Sequence, residues 1–123
     1  MANNALKDKS LLFAVRCVNL YKLLCDERNE FVLSKQMLRS GTSIGANISE
    51  ALCAESDKDF IHKLHIAYKE ANETLYWFEV MLKSELIKEN EYTSINNDLS
   101  ELLALLTTII KTSKQKITKQ QTT

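Results

Sequence analysis

Not one proline interrupts this chain of 123 residues, and its only two glycines, Gly41 and Gly45, stand four apart in one run. That run reads Arg39-Ser-Gly-Thr-Ser43-Ile44-Gly-Ala-Asn47-Ile48-Ser-Glu50. Strands need turn punctuation, which glycine and proline mostly supply, and almost none is present. What remains is an all-α chain of long helices joined by short polar turns. The glycine-bearing run itself lies within a helical pattern, where each glycine costs about 1 kcal/mol against alanine. Something must compensate: a close helix–helix approach, side-chain hydrogen bonds across an interface, or a ligand.

Apolar spacing marks four helices, over about 8–27, 31–54, 57–85 and 89–113. Phe13, Cys17, Leu20 and Leu24 keep helical spacing in the first, and Leu33, Met37, Gly41 (or Ser40), Ile44, Ile48 and Ala51 in the second. Phe60, Leu64, Ala67, Ala71, Leu75 (or Thr74), Phe78 and Leu82 do so in the third, then Tyr92, Ile95, Leu99, Leu102, Leu106 and Ile109 in the fourth. Ser56-Asp-Lys-Asp59 has the form of a capping box that opens the third helix. Residues 118–123 read as a disordered tail. Short links between helices of this length give an antiparallel up-down-up-down four-helix bundle, one domain over 1–123. Leu103, Ile110 and Ile117 add a second stripe to the fourth helix. Apolar coverage this wide points to another burial partner, such as a second copy; the alternative is that these residues form the wide edge of the chain's own core.

Sixteen basic residues balance sixteen acidic ones, so no global field favours nucleic acid or a membrane. Locally, Lys111, Lys114, Lys116 and Lys119 follow one another with no acid between them, either a solvated helix end or a nucleic-acid contact. Cys17, Cys25 and Cys53 are odd in number and lack C-x-x-C spacing; Cys17 and Cys53 fall on apolar stripes. They read as reduced and inert, which fits a cytoplasmic protein. The first residues hold no apolar core of a signal peptide, and the apolar run from Leu99 to Ile110 is too short to span a bilayer.

Arg39, Ser43, Asn47 and Glu50 share one helical face beside the core stripe. If the second and third helices turn near Glu55 and Ser56, Arg39 comes level with Asn72 and Glu73, Ser43 with Tyr68, Asn47 with Leu64 and His65, and Glu50 with Ile61 and His62. Arg39 is then expected to pair with Glu73 (or Glu70), and Ser43 and Asn47 to bond across the seam. On that reading Arg39→Ala costs a few kcal/mol by stranding a half-buried acid. Trp77 is expected exposed or at a subunit seam.

Catalytic signals are weak. A di-iron bundle needs two Glu-x-x-His motifs, and only Asp59-Phe-Ile-His62 comes near. Glu50, His62 and His65 offer an alternative corner for a metal site or an enzyme. No Gly-rich elbow or phosphate loop is present, so no catalytic residue, cofactor or metal is assigned.

The run Arg39-x-x-x-Ser43-Ile44-x-x-Asn47-Ile48-x-Glu50, then Phe60-x-x-x-Leu64-x-x-Ala67 and Glu73-x-x-Tyr76-Trp77, resembles the four-helix bundle proteins encoded in intervening sequences of bacterial 23S ribosomal RNA genes. The likeness covers about Leu12 to Leu106. It implies a ring-like homopentamer without known enzymatic activity, in which Arg39, Ser43, Asn47, Glu50, Glu73 and Trp77 are signature or interface positions. A relative, the accessory variability protein of diversity-generating retroelements, uses the same fold as a basic pentamer that binds nucleic acid and a reverse transcriptase. The expectation is therefore a non-enzymatic, homo-oligomeric binding or scaffolding module, the alternative being a protein-only adaptor that grips a partner helix with the Leu103 and Ile110 stripe. In the module Leu103 and Ile110 would form the oligomer stripe, and Lys111, Lys114 and Lys116 would contact RNA or DNA.

Overall fold

In the computed structural model, which describes residues 2–122, the chain forms four helices in sequence: α1 (Ala2–Arg28), α2 (Leu33–Leu52), α3 (Asp57–Lys83) and α4 (Glu89–Thr122). Each helix packs on its neighbours in chain order, and α4 closes the ring against α1. Cross-helix pairs fix the directions. Ser40 meets Thr74 while Glu50 meets Lys63, so α2 and α3 run antiparallel. Lys9 reaches Glu101 and Arg28 reaches Glu91, so α1 and α4 do too. The fold is the expected all-α, up-down-up-down bundle.

Side chains spaced three and four apart fill the interior. Phe13, Cys17 and Leu24 come from α1, Met37, Ile44 and Ile48 from α2, Leu64, Ala71 and Phe78 from α3, and Leu99, Leu102 and Leu106 from α4. Phe13 and Phe78 meet edge-on across the middle, with ring centres 6.2 Å apart. Burial pushes the Cys17 thiol up to about 12, against a smaller opposing effect of Arg16, so it packs as a neutral hydrophobe. Cys53 instead lies exposed just past the end of α2, off the apolar stripe assigned to it from sequence.

The turns obey local chemistry. Asn29 takes a left-handed φ of 52°, and the Glu30 N–H bonds back to the Leu24 carbonyl, six residues earlier. The Glu30 carboxylate then collects the N–H groups of Val32, Leu33 and Ser34, so α2 starts at Leu33 rather than near Phe31. Ser56 caps α3 by accepting from the Asp59 N–H at 3.1 Å, one arm of the expected capping box. Glu85, with φ 63°, ends α3 as Asn29 ends α1.

Both terminal helices outrun their sequence-based bounds. α1 begins at Ala2, ahead of about Asp8, and α4 continues past Ser113 to Thr122 through the stretch expected to be disordered. No glycine, proline or capping signal stops α4 there, and lysine and glutamine are good helix formers. Thr123 lies outside the described residues. Among the described residues no helix is long and apolar enough to cross a membrane.

Candidate functional site

The two glycines have different reasons. A Cβ on Gly41 would run into the buried Cys17 Sγ, with Cys17 Cβ at 3.2 Å and Thr74 Cγ2 at 3.8 Å. Close approach of α1 to α2 is thus what offsets this glycine's helix penalty. Beside it, Ser40 and Thr74 form a buried hydrogen bond of 2.9 Å between α2 and α3. At Gly45 the nearest atoms to a Cβ would be those of Ser10, at 3.4 Å, close to ordinary contact.

On the α2–α3 face, Arg39 grips two acids, Glu70 at 3.1 Å and Glu73, and Trp77 Nε1 donates to the same Glu73 carboxylate at 3.2 Å. Partial burial disfavours the Arg39 charge, but Glu70 and Glu73 together outweigh it and hold the guanidinium above its ordinary value. The register expected from sequence therefore holds at Arg39. It does not hold as a cross-seam network further along. Ser43 Oγ donates to the Arg39 carbonyl and Asn47 Nδ2 to the Ser43 carbonyl, both within α2. A short polar side chain on a helix reaches the carbonyl one turn back more easily than a neighbouring helix. Ser40, a core position by its spacing, does bond across the seam. The Arg39 side chain is 50% exposed, so water screens this cluster and the cost of removing it falls well short of the few kcal/mol expected of a buried pair.

The metal corner does not form. Glu50 pairs with Lys63 at 3.7 Å, His62 is exposed, and no group of three His, Cys, Asp or Glu side chains converges among the described residues. Nor does the second stripe of α4 stand free. Ile110 is 7% exposed within the chain's own core and Leu103 is half-buried against it, so both form the wide edge of that core.

The largest group of exposed apolar side chains lies instead on α1, where Leu11, Leu12 and Val15 are 62%, 67% and 50% exposed; Phe31 and Val32 before α2 and Tyr76 on α3 are exposed as well. Next to Leu11 a shallow hollow of about 220 Å³ runs between α1 and α2, over Ala14, Thr42, Gly45, Ala46 and Ser49. The sequence signal was present, since α1 is apolar on two faces, but periodicity followed only the face of Phe13 and Cys17.

The lysines of α4 divide between two faces. Lys111 and Lys114 open on a groove of about 830 Å³ shared with His65 and Tyr68 of α3, whereas Lys116 lines a separate cleft with Asn3, Asp57 and Phe60. Partial burial, then the charges of Lys114, Lys69 and His62, push the His65 pKa below its ordinary value. Lys111, Lys114 and Lys116 make no ion pair among the described residues.

Comparison with known proteins agrees with this architecture. A crystal structure of a protein of unknown function from the S23 ribosomal protein family of Bacteroides thetaiotaomicron is 62% identical, with a TM-score of 0.89. The match covers 90% of this chain and 99% of that one. No functionally curated protein matches. The family model of the 23S rRNA-intervening sequence proteins matches residues 2–108, nearly the whole bundle. The chain belongs to the 23S rRNA-intervening sequence protein family.

Proposed function

We propose that this protein is a non-enzymatic, cytoplasmic assembly module that associates with copies of itself through the outer face of α1. The observation that carries this reading is the exposed set Leu11, Leu12 and Val15, with Leu11 on the edge of a hollow floored mostly by small side chains. Burying one such side chain stabilises by about 1.5–3 kcal/mol, so this face holds roughly 3–5 kcal/mol per subunit in reserve. A protrusion beside a hollow on one face is self-complementary and pairs two-fold; engaged head-to-tail, the same patch closes into a ring when the rotation allows. A ring is also what the family likeness implies, with the pentamer as its expected size. Three unpaired cysteines suit a reducing compartment. Sedimentation of Leu12→Lys/Val15→Lys tests the reading against Glu79→Lys, a control at an exposed polar position of α3. Dissociation of the double variant alone supports it; an unchanged assembly of the double variant would remove α1 from the interface.

A second reading gives the assembled module RNA or DNA as its partner, supported by four lysines without an acid from Lys111 onward. Repetition of that end around a ring multiplies a local positive field even though each chain is neutral. Binding of a labelled single-stranded oligonucleotide that weakens steeply between 50 and 200 mM salt is the expected result. No binding at low salt excludes this reading.

A further inference from the structure

The groove between α3 and the far end of α4 has features that neither self-assembly nor a helix end requires. Its volume of about 830 Å³ lies in the range of pockets that hold small organic ligands, roughly 300–1,000 Å³. Its floor is apolar, made by Ile110 and by the Tyr68 ring. The hydroxyls of Thr107 and Thr118 are already bonded to carbonyls of their own helix, those of Leu103 and Lys114. The charged groups on its rim are of one sign. Lys111, Lys114 and Lys119 line it from α4, His65 faces them from α3, and among the described residues no Asp or Glu lines the groove. Partial burial, and after it the charges of Lys114, Lys69 and His62, hold the His65 pKa below its ordinary value.

An apolar floor under a cationic rim matches a molecule with an apolar body and an anionic head. A nucleic-acid strand makes less use of the apolar floor, because its repeating phosphates need cations spaced along a track, whereas Lys111, Lys114 and Lys119 line one groove and Lys116 turns away to another cleft. We propose that this groove binds an amphipathic organic anion, its apolar body lying on Ile110 and Tyr68 and its carboxylate or phosphate held by Lys111 and Lys114. The lysine stems extend the apolar wall while their ammonium groups reach the head. Contacts of this kind are charge-assisted and lose most of their strength when the cation is removed.

The test is isothermal titration of the full chain with decanoate and with decyl phosphate, both kept below their micelle concentrations. Octyl glucoside serves as the neutral control and inorganic phosphate as the head alone. Saturable binding of one molecule per chain is expected for the anionic amphiphiles, and none for phosphate or octyl glucoside. The decanoate and decyl phosphate arms show which head is preferred. Lys111→Ala/Lys114→Ala should weaken binding about tenfold or more, and Tyr68→Ala several-fold, with circular dichroism unchanged. The proposal is overturned by non-saturable uptake, by equal binding of octyl glucoside, or by unaltered affinity in the double-lysine variant. It is overturned equally if Leu12→Lys/Val15→Lys abolishes binding, which would place the ligand on α1. An oligonucleotide that displaces the amphiphile and binds more tightly through the same lysines would reassign the groove to nucleic acid.

Discussion

Gly41→Ala sets two effects of known size against each other. In an open helix the substitution stabilises by about 0.4–1 kcal/mol, because alanine has less unfolded-state freedom to lose. Here the new methyl group meets Cys17 Sγ and stands 3.2 Å from Cys17 Cβ, in a site where Cys17 is fully buried. Overpacking of this kind costs about 1–3 kcal/mol. The net expectation is a loss of about 1 kcal/mol. Cys17→Ala removes the obstructing sulfur but keeps the Cβ at 3.2 Å, so in that background Gly41→Ala should be neutral or stabilise by up to about 0.5 kcal/mol. The coupling between the two sites is then about 1–1.5 kcal/mol, above the scatter expected of independent positions. Gly45→Ala is the internal control: its Cβ would meet Ser10 at 3.4 Å, and a gain of about 0.5 kcal/mol should survive. Urea unfolding followed by circular dichroism reads all four variants through their midpoints at constant slope, at one protein concentration because assembly shifts apparent stability. If Gly41→Ala stabilises the native sequence, or if Cys17→Ala leaves its effect unchanged, close approach is not why glycine stands at 41.

Three further predictions follow from the ion pairs and turns. Arg28 makes a two-pronged contact with Glu91, at 2.9 and 2.8 Å, and also bonds the Leu86 carbonyl. Its hydrogen bonds, against some burial and with the Lys88 N–H assisting, lower the Glu91 pKa below the ordinary value near 4.5. A depressed carboxylate stabilises the fold above its unfolded pKa and loses that contribution as pH falls through its folded value. Acid unfolding of Glu91→Gln should therefore lack part of the stability lost below about pH 4.5 in the native chain, and a superimposable acid limb would rule the contribution out. Arg39→Ala should cost only about 0.5–1 kcal/mol, and less at high salt, since the side chain is half exposed; a salt-independent loss above about 3 kcal/mol would show the cluster to be desolvated. Glu85→Gly should raise stability by about 0.5–1 kcal/mol by relieving a left-handed conformation at φ 63°, read as a higher melting temperature.

Much of the fold was legible because its signals are local. Absent proline, scarce glycine and periodic apolar residues define four helices, and equal distances from the turn at Ser56 bring Arg39 to Glu70 and Glu73. Gly41 announced a close contact, although not that Cys17 was its partner, because spacing within α2 says nothing of which residue on α1 arrives opposite. Ile110 was assigned to an oligomer stripe because a helical wheel cannot tell how wide a face the other three helices will cover. The same blindness hid Leu11, Leu12 and Val15. Two apolar faces on α1 look alike in sequence, and only packing decides which stays in water. Glu30 as the cap of α2 depends on backbone geometry at a chain turn, whereas the continuation of α4 was open to the sequence, since no helix breaker follows Ser113. The groove beside Lys111 and Lys114 needs α3 and α4 in register before His65 and Tyr68 face the lysines at all.

The central claim, self-assembly through an apolar face of the bundle, is tested most directly by the mass of the native protein in solution. Light scattering after size exclusion, over a hundredfold dilution, should give a fixed multiple of the 14.1 kDa chain mass, with five as the family likeness implies. A particle of 14.1 kDa at every concentration would contradict the account, and would leave Leu11, Leu12 and Val15 without the partner that their exposure calls for.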